Sequence, residues 1–172
     1  MKLLSPSRQE PVIELRQIVR LLRSEIIGVA GCTEPASVAF AFLIARRHLK
    51  GPFDPRTATA RLVASREVLR NAATAVVPFL NRRGLRTVVA AGLSSRAKTF
   101  NLFPGVNPRV TRFLLGRRNW LTVGPPAREK GVYVRAVLST PQESVSVVIV
   151  GRHDEVRSID RGGKKIFRAV AR

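Results

Sequence analysis

The sequence predicts an α+β fold, with helices in the amino-terminal half and an antiparallel sheet in the carboxy-terminal half. Three observations carry this. Apolar residues recur at helical spacing up to about residue 97, and β-branched runs separated by Gly and Pro dominate from residue 120 onward. The chain, at 172 residues and 45% hydrophobic, is also long enough for one domain with a real core. A single domain over residues 1–172 is expected, with no internal repeat and no low-complexity tract.

Each element has its own signal. In residues 11–27, Leu15, Ile18, Val19, Leu22 and Ile26 share one helical face, with Pro11 acceptable in the first turn. Residues 28–32, with Gly at 28 and 31, read as a bend. A second helix should run from Pro35 to about Leu49, ended by basic residues and Gly51-Pro52. Residues 36–45 are apolar on nearly every side, so this helix should be central to the core. Residues 57–64 alternate weakly as a strand, and Ser65 should cap a short helix carrying Val68, Leu69 and Ala72, ended by Val76-Val77-Pro78. Leu85, Val88, Val89 and Leu93 favour a helix in 84–97. Residues 98–108 read as an irregular surface loop, and 110–115 as a short helix. Residues 120–123, 132–138, 144–150 and 156–159 should be the strands of the sheet.

Composition narrows the function classes. No apolar run reaches about 18 residues, so no membrane-spanning helix is expected. The start, Met1-Lys2-Leu3-Leu4-Ser5-Pro6, lacks the pattern of a secretory signal, which makes the cytoplasm the expected compartment. Cys32 is the one cysteine, so an intrachain disulfide and a metal site of several thiolates are both excluded. The 31 Lys+Arg against 11 Asp+Glu give a formal charge of +20, which attracts polyanions and keeps nucleic-acid binding open as an alternative. It is not the favoured reading, because the cations are scattered singly and in pairs, without a basic run, a zinc-finger spacing or an aromatic-rich RNA-binding strand. An acidic partner covering part of this surface is the simpler expectation. Phosphate-loop, dinucleotide and nucleophile-elbow motifs are absent.

The segment Gly31-Cys32-Thr33-Glu34-Pro35, between a leucine-rich and an alanine-rich helix, resembles the signature near the start of the L-cysteine desulfidase family related to iron–sulfur L-serine dehydratases. The block Ser65-Arg66-Glu67-Val68-Leu69-Arg70-Asn71-Ala72 is similar to that family's Ser-x-x-Val-x-Lys-Asn-Ala, with Arg70 in place of lysine. The strand, glycine and histidine pattern of residues 147–156 resembles it too. Val77-Pro78-Phe79 departs from the family's valine-proline-glycine turn. The resemblance implies a lyase that converts cysteine or serine to pyruvate and ammonia with loss of sulfide or water, assisted by a four-iron four-sulfur cluster. The family's cluster-ligating cysteines lie in a carboxy-terminal half with no counterpart here. The implied chain is therefore an amino-terminal portion, completed by a cluster-bearing half on another chain or by a homo-oligomer, and acting on a small amino acid. A catalytically silent truncated relative is the alternative.

The candidate site residues carry two readings each. Cys32 sits just before a helix, where unpaired N–H groups and the positive dipole end stabilise a thiolate, so a base, a nucleophile or a metal ligand is chemically sensible; the plain reading is a small buried residue. The resemblance adds closeness to a cluster and a part in proton transfer or iron ligation. Glu34 either positions a substrate ammonium, orients Cys32, or simply favours the dipole, and Thr33 is similarly double. Ser65 is a cap or a substrate ligand. Asn71, an amide in an Ala- and Val-rich segment, needs partners if buried and suits an amino-acid carboxylate or ammonium. His153, beside Asp154 and Glu155, is an acid or base, or a turn histidine paired with a local acid. His48 is explained by its helix end.

Overall fold

The computed structural model describes residues 31–169. The helix expected at 11–27 lies outside the described residues, as does the first part of the bend at 28–32. Four helices and eight strands follow: α1 (Thr33–Arg47), β1 (Thr59–Ala64), α2 (Arg66–Thr74), β2 (Val76–Val77), β3 (Arg82–Arg83), α3 (Leu85–Ser94), α4 (Pro108–Gly116), β4 (Leu121–Val123), β5 (Tyr133–Ser139), β6 (Ser144–Val150), β7 (Val156–Arg161) and β8 (Lys164–Arg168). The fold is α+β, as the sequence predicts, with a six-stranded sheet in the order β4-β1-β5-β6-β7-β8.

The sheet is antiparallel except where β1 pairs with β4 in parallel, Ala60 opposite Leu121. Strand alternation places Val134, Ala136 and Leu138 of β5 and Val145, Val147 and Ile149 of β6 on the buried face, where α1 lies across them. Helix α1 is the core helix: Val38, Ala39, Phe42 and Leu43 are fully buried, in keeping with its uniformly apolar stretch. It begins two residues before Pro35, which occupies the first turn, where its missing N–H costs little.

Helix α3 crosses α1 closely because Gly92 carries no side chain. A Cβ there would overlap the carbonyl oxygen of Ala39. The arginine excess is partly consumed in holding such ends together. Arg46 donates to the carbonyls of Leu93 (2.7 Å) and Ser95 (2.5 Å), capping α3, and Arg86 donates to Leu115 (3.2 Å) and Arg117 (2.5 Å), capping α4. Arg117 in turn donates to Pro55 and Ala58.

Three expectations are refined. Residues 98–108 are an irregular surface segment, as expected, but one anchored in the core: Phe100, Leu102 and Phe103 are buried, with a 3-10 turn at Phe103–Gly105, and Ser95 Oγ donates to the carbonyl of Leu102. Pro104 and Pro108 stay exposed while the apolar side chains between them and residue 99 turn inward. The unit ending at Pro78 continues as the β2–β3 hairpin. Beyond Ile159, the Gly162-Gly163 turn, both residues at positive φ, returns the chain as the edge strand β8.

The direction of α1 fixes where its start lies. Its carboxy-terminal end is tied to the Glu143–Arg161 end of the sheet: Arg161 donates to the His48 carbonyl, and Glu143 Oε1 accepts from the N–H groups of Lys50 and Gly51. A 15-residue helix is about as long as a seven-residue strand, so Cys32 comes to the opposite end, where β6 finishes and β7 begins.

Candidate functional site

Cys32 occupies the N-cap position of α1 with extended backbone (φ −75°, ψ 142°), and it is exposed. Its Sγ donates to Glu34 Oε2 at 2.8 Å. Thr33 Oγ1 donates to the same oxygen at 3.2 Å, and Asn71 Nδ2 of α2 donates to Glu34 Oε1 at 3.0 Å. Glu34 is thus an acceptor for a thiol, a hydroxyl and an amide. This joins the start of α1 to α2 across 37 residues of sequence.

The electrostatics follow from that arrangement. The hydrogen bond from Cys32 is the leading cause that holds the Glu34 carboxyl down at about 2, with further help from Asn71 and Thr33. Cys32 moves the other way. Partial burial, then its bond to the Glu34 carboxylate and that carboxylate's charge, push the thiol above its ordinary value, outweighing the N–H groups of residues 33 and 34 that pull it down. The sequence argument for a helix-stabilised thiolate is therefore reversed, because the local anion and the desolvation win over the dipole. Cys32 is a thiol with a carboxylate acceptor in contact.

The other candidate residues lie differently. Ser65 is fully buried at the N-cap position of α2, but its hydroxyl makes no cap; it donates to the carbonyl of Gly131 at 2.6 Å, and its N–H donates to Tyr133. It ties the end of β1 to the entry of β5. His153 sits in the β6–β7 turn, at the same end of the sheet as Cys32, with Arg152 and Asp154 forming a 3.6 Å ion pair beside it. No hydrogen bond links it to Cys32, Glu34 or Asn71. His48 caps α1, its Nδ1 2.9 Å from the carbonyl of Ile44.

Sequence reasoning missed two features. Gly31, at φ +106°, packs against Pro78 so closely that a Cβ would come 2.8 Å from its Cγ, which sets the β2–β3 hairpin against the approach to Cys32. The next residue, Phe79, adopts φ +65° and is 72% exposed. A cavity of about 810 Å³ lies at the far end of α1, lined by Lys50, Glu143, Arg161 and Lys164 among others.

The donor set does not fit an iron–sulfur cluster. Cys32 is the sole thiol of the chain, and among the described residues no group of three or more His, Cys, Asp and Glu side chains comes together as a metal site.

Comparison with known proteins bears on the expected membership. The chain is 29% identical over 159 residues to a protein of Nitratidesulfovibrio vulgaris, covering 88% of this chain and 34% of that relative. It is 26% identical over 158 residues to one of Vibrio parahaemolyticus (89% and 36%), and 24% identical over 147 residues to one of Clostridium perfringens (83% and 33%). All three are named UPF0597 proteins. That corrects the resemblance drawn from the Gly31–Pro35 segment: these relatives carry the UPF0597 name rather than that of cysteine desulfidases or serine dehydratases, and the name states no activity. This chain spans about a third of the length of the UPF0597 proteins it matches. No family model matches it, and no solved structure does. Among the described residues no helix is long and apolar enough to cross a membrane.

Proposed function

We propose that this chain supplies the proton-transfer half of a lyase site for a small amino acid, with Cys32 as general acid, and that another polypeptide completes the site. The observation that carries this is the hydrogen-bonded series Cys32–Glu34–Asn71 at the exposed mouth of a buried helix. A thiol held protonated is suited to giving up a proton rather than to resting as a nucleophile.

In this reading a base from the completing polypeptide removes the substrate's Cα proton. The freed electron pair becomes the Cα=Cβ double bond, and the Cβ–S or Cβ–O bond breaks with its pair on the leaving atom. Cys32 delivers its Sγ proton to that atom, so hydrogen sulfide or water departs. The enamine tautomerises, takes up water and yields pyruvate and ammonia. The thiolate left beside Glu34 is a like-charge pair, which favours prompt reprotonation. The N–H groups at the start of α1 suit the substrate carboxylate, and Glu34, braced by Asn71, suits its ammonium. We place the protein in the cytoplasm, where an exposed free thiol stays reduced.

The test is pyruvate release from L-serine and L-cysteine by the protein purified anaerobically from its own host, beside Cys32→Ser and Glu34→Gln. Pyruvate formation that falls at least a hundredfold in Cys32→Ser supports the reading. No pyruvate from either amino acid, or equal rates with and without the thiol, overturns it.

A further inference from the structure

Residues 68–128 contain eleven Lys and Arg and not one Asp or Glu. Some of these cations are engaged by the fold, as Arg86 and Arg117 are by backbone carbonyls. Others are not. Among the described residues no side-chain hydrogen bond or ion pair engages Arg82 and Arg83 of the β2–β3 hairpin, or Arg112 of α4. Arg82 and Arg83 line an open groove of about 560 Å³ together with Arg86 and with Leu115 of α4, and Arg112 lines a second depression on α4 with Phe113.

Apolar side chains are exposed on the same two elements, the hairpin and α4. Phe79 is 72% exposed, Phe113 44% and Val76 42%. Phe79 is the odd one: a bulky aromatic at φ +65° adopts a conformation that costs free energy, and what it gains is projection into solvent. Arginine mixed with exposed aromatics, without acids, suits an acidic polypeptide with apolar anchors; it is also the composition of single-stranded nucleic-acid surfaces, which the RNA arm of the test separates. The Gly31–Pro78 contact sets this hairpin beside the approach to Cys32.

We infer that the β2–β3 hairpin and helix α4 form a docking surface for an acidic polypeptide bearing aromatic or aliphatic anchors, which closes over the Cys32 end of the molecule. Its role in completing a site rests on the reading proposed above; the surface itself does not. Its chemistry is one-signed charge complementarity around the Phe79 anchor, which steers association and fixes orientation.

The probe is a fluorescein-labelled twelve-residue peptide of repeating Glu-Glu-Phe, compared with an oligouridylate of equal charge by anisotropy at 150 mM salt. The expected result is tighter binding of the peptide than of the RNA, weakened tenfold or more by Arg82→Glu with Arg83→Glu, and weakened by Phe79→Ser. Reversal of Arg61 and Arg157 on the strands should change it less than threefold. Equal losses from the two charge reversals would show a general field and overturn the surface, as would preference for the RNA without dependence on Phe79. Bound peptide should also slow alkylation of Cys32; binding without that protection overturns the placement over the site. Neither readout uses pyruvate formation, so failure of the lyase reading remains separable.

Discussion

The Sγ of Cys32 lies 2.8 Å from Oε2 of Glu34, a contact that acts on the protonation of both groups, as the leading cause for the carboxyl and second to partial burial for the thiol. It pulls the carboxyl down and pushes the thiol up, so the two residues share a proton that rests on sulfur.

Asn71→Ala removes the amide that braces the far oxygen of Glu34. The carboxyl should then titrate higher than in the parent, read by carbon-detected NMR of the Glu34 side chain. An unmoved titration would mean that the amide does not support the carboxylate.

Glu34 also makes stability depend on pH in a definite window. Its folded-state value of about 2 lies below the ordinary 4.5, so the ionised form stabilises the fold above about 4.5, and that contribution is lost as pH falls from 4.5 towards 2. Urea midpoints of the parent and of Glu34→Gln should differ at pH 6 and converge near pH 2. A constant difference across that range would place the effect of the substitution elsewhere.

Gly92→Ala should destabilise the protein by about 1–3 kcal/mol or more, since the new methyl meets the backbone carbonyl of Ala39, which cannot rotate away. Gly51→Ala, where nothing lies within 4 Å and φ is not positive, is the control and should be close to neutral. Thermal unfolding of both variants decides.

Ser65→Ala should cost about 0.5–1.5 kcal/mol, the net worth of one hydrogen bond, because Gly131 is exposed and its carbonyl can turn to water. Its alkylation rate at Cys32 should match the parent. A loss of substrate binding with unchanged stability would instead favour the ligand role that its motif suggested.

Much of the fold was legible because periodicity reports burial. The alternation of β6 and the apolar α1 are each dictated by one buried face or by burial all round, and both appear where the sequence places them. The edge strand β8 was not legible: all five of its residues are exposed, so no burial pattern marks it, and only Gly162-Gly163 signals the hairpin. At 98–108 the irregular surface segment was legible, but not its anchors, because Pro and Gly mark irregular backbone without saying whether Phe100, Leu102 and Phe103 are buried. In the site, the nearness of Cys32 and Glu34 could be read from spacing, but Asn71 reaches Glu34 only through the packing of α2 on α1. The sign of the thiol shift was misjudged for the same reason: the dipole is visible in a sequence, whereas desolvation and a contacting carboxylate are not.

The most direct test of the account is the pH dependence of Cys32 alkylation by iodoacetamide in the parent and in Glu34→Gln, since only the thiolate reacts. The parent should show its midpoint above the ordinary cysteine range, and removal of the carboxylate should lower that midpoint and raise the rate at pH 8. A parent midpoint below the ordinary range, or one that Glu34→Gln leaves in place or raises, would contradict the account.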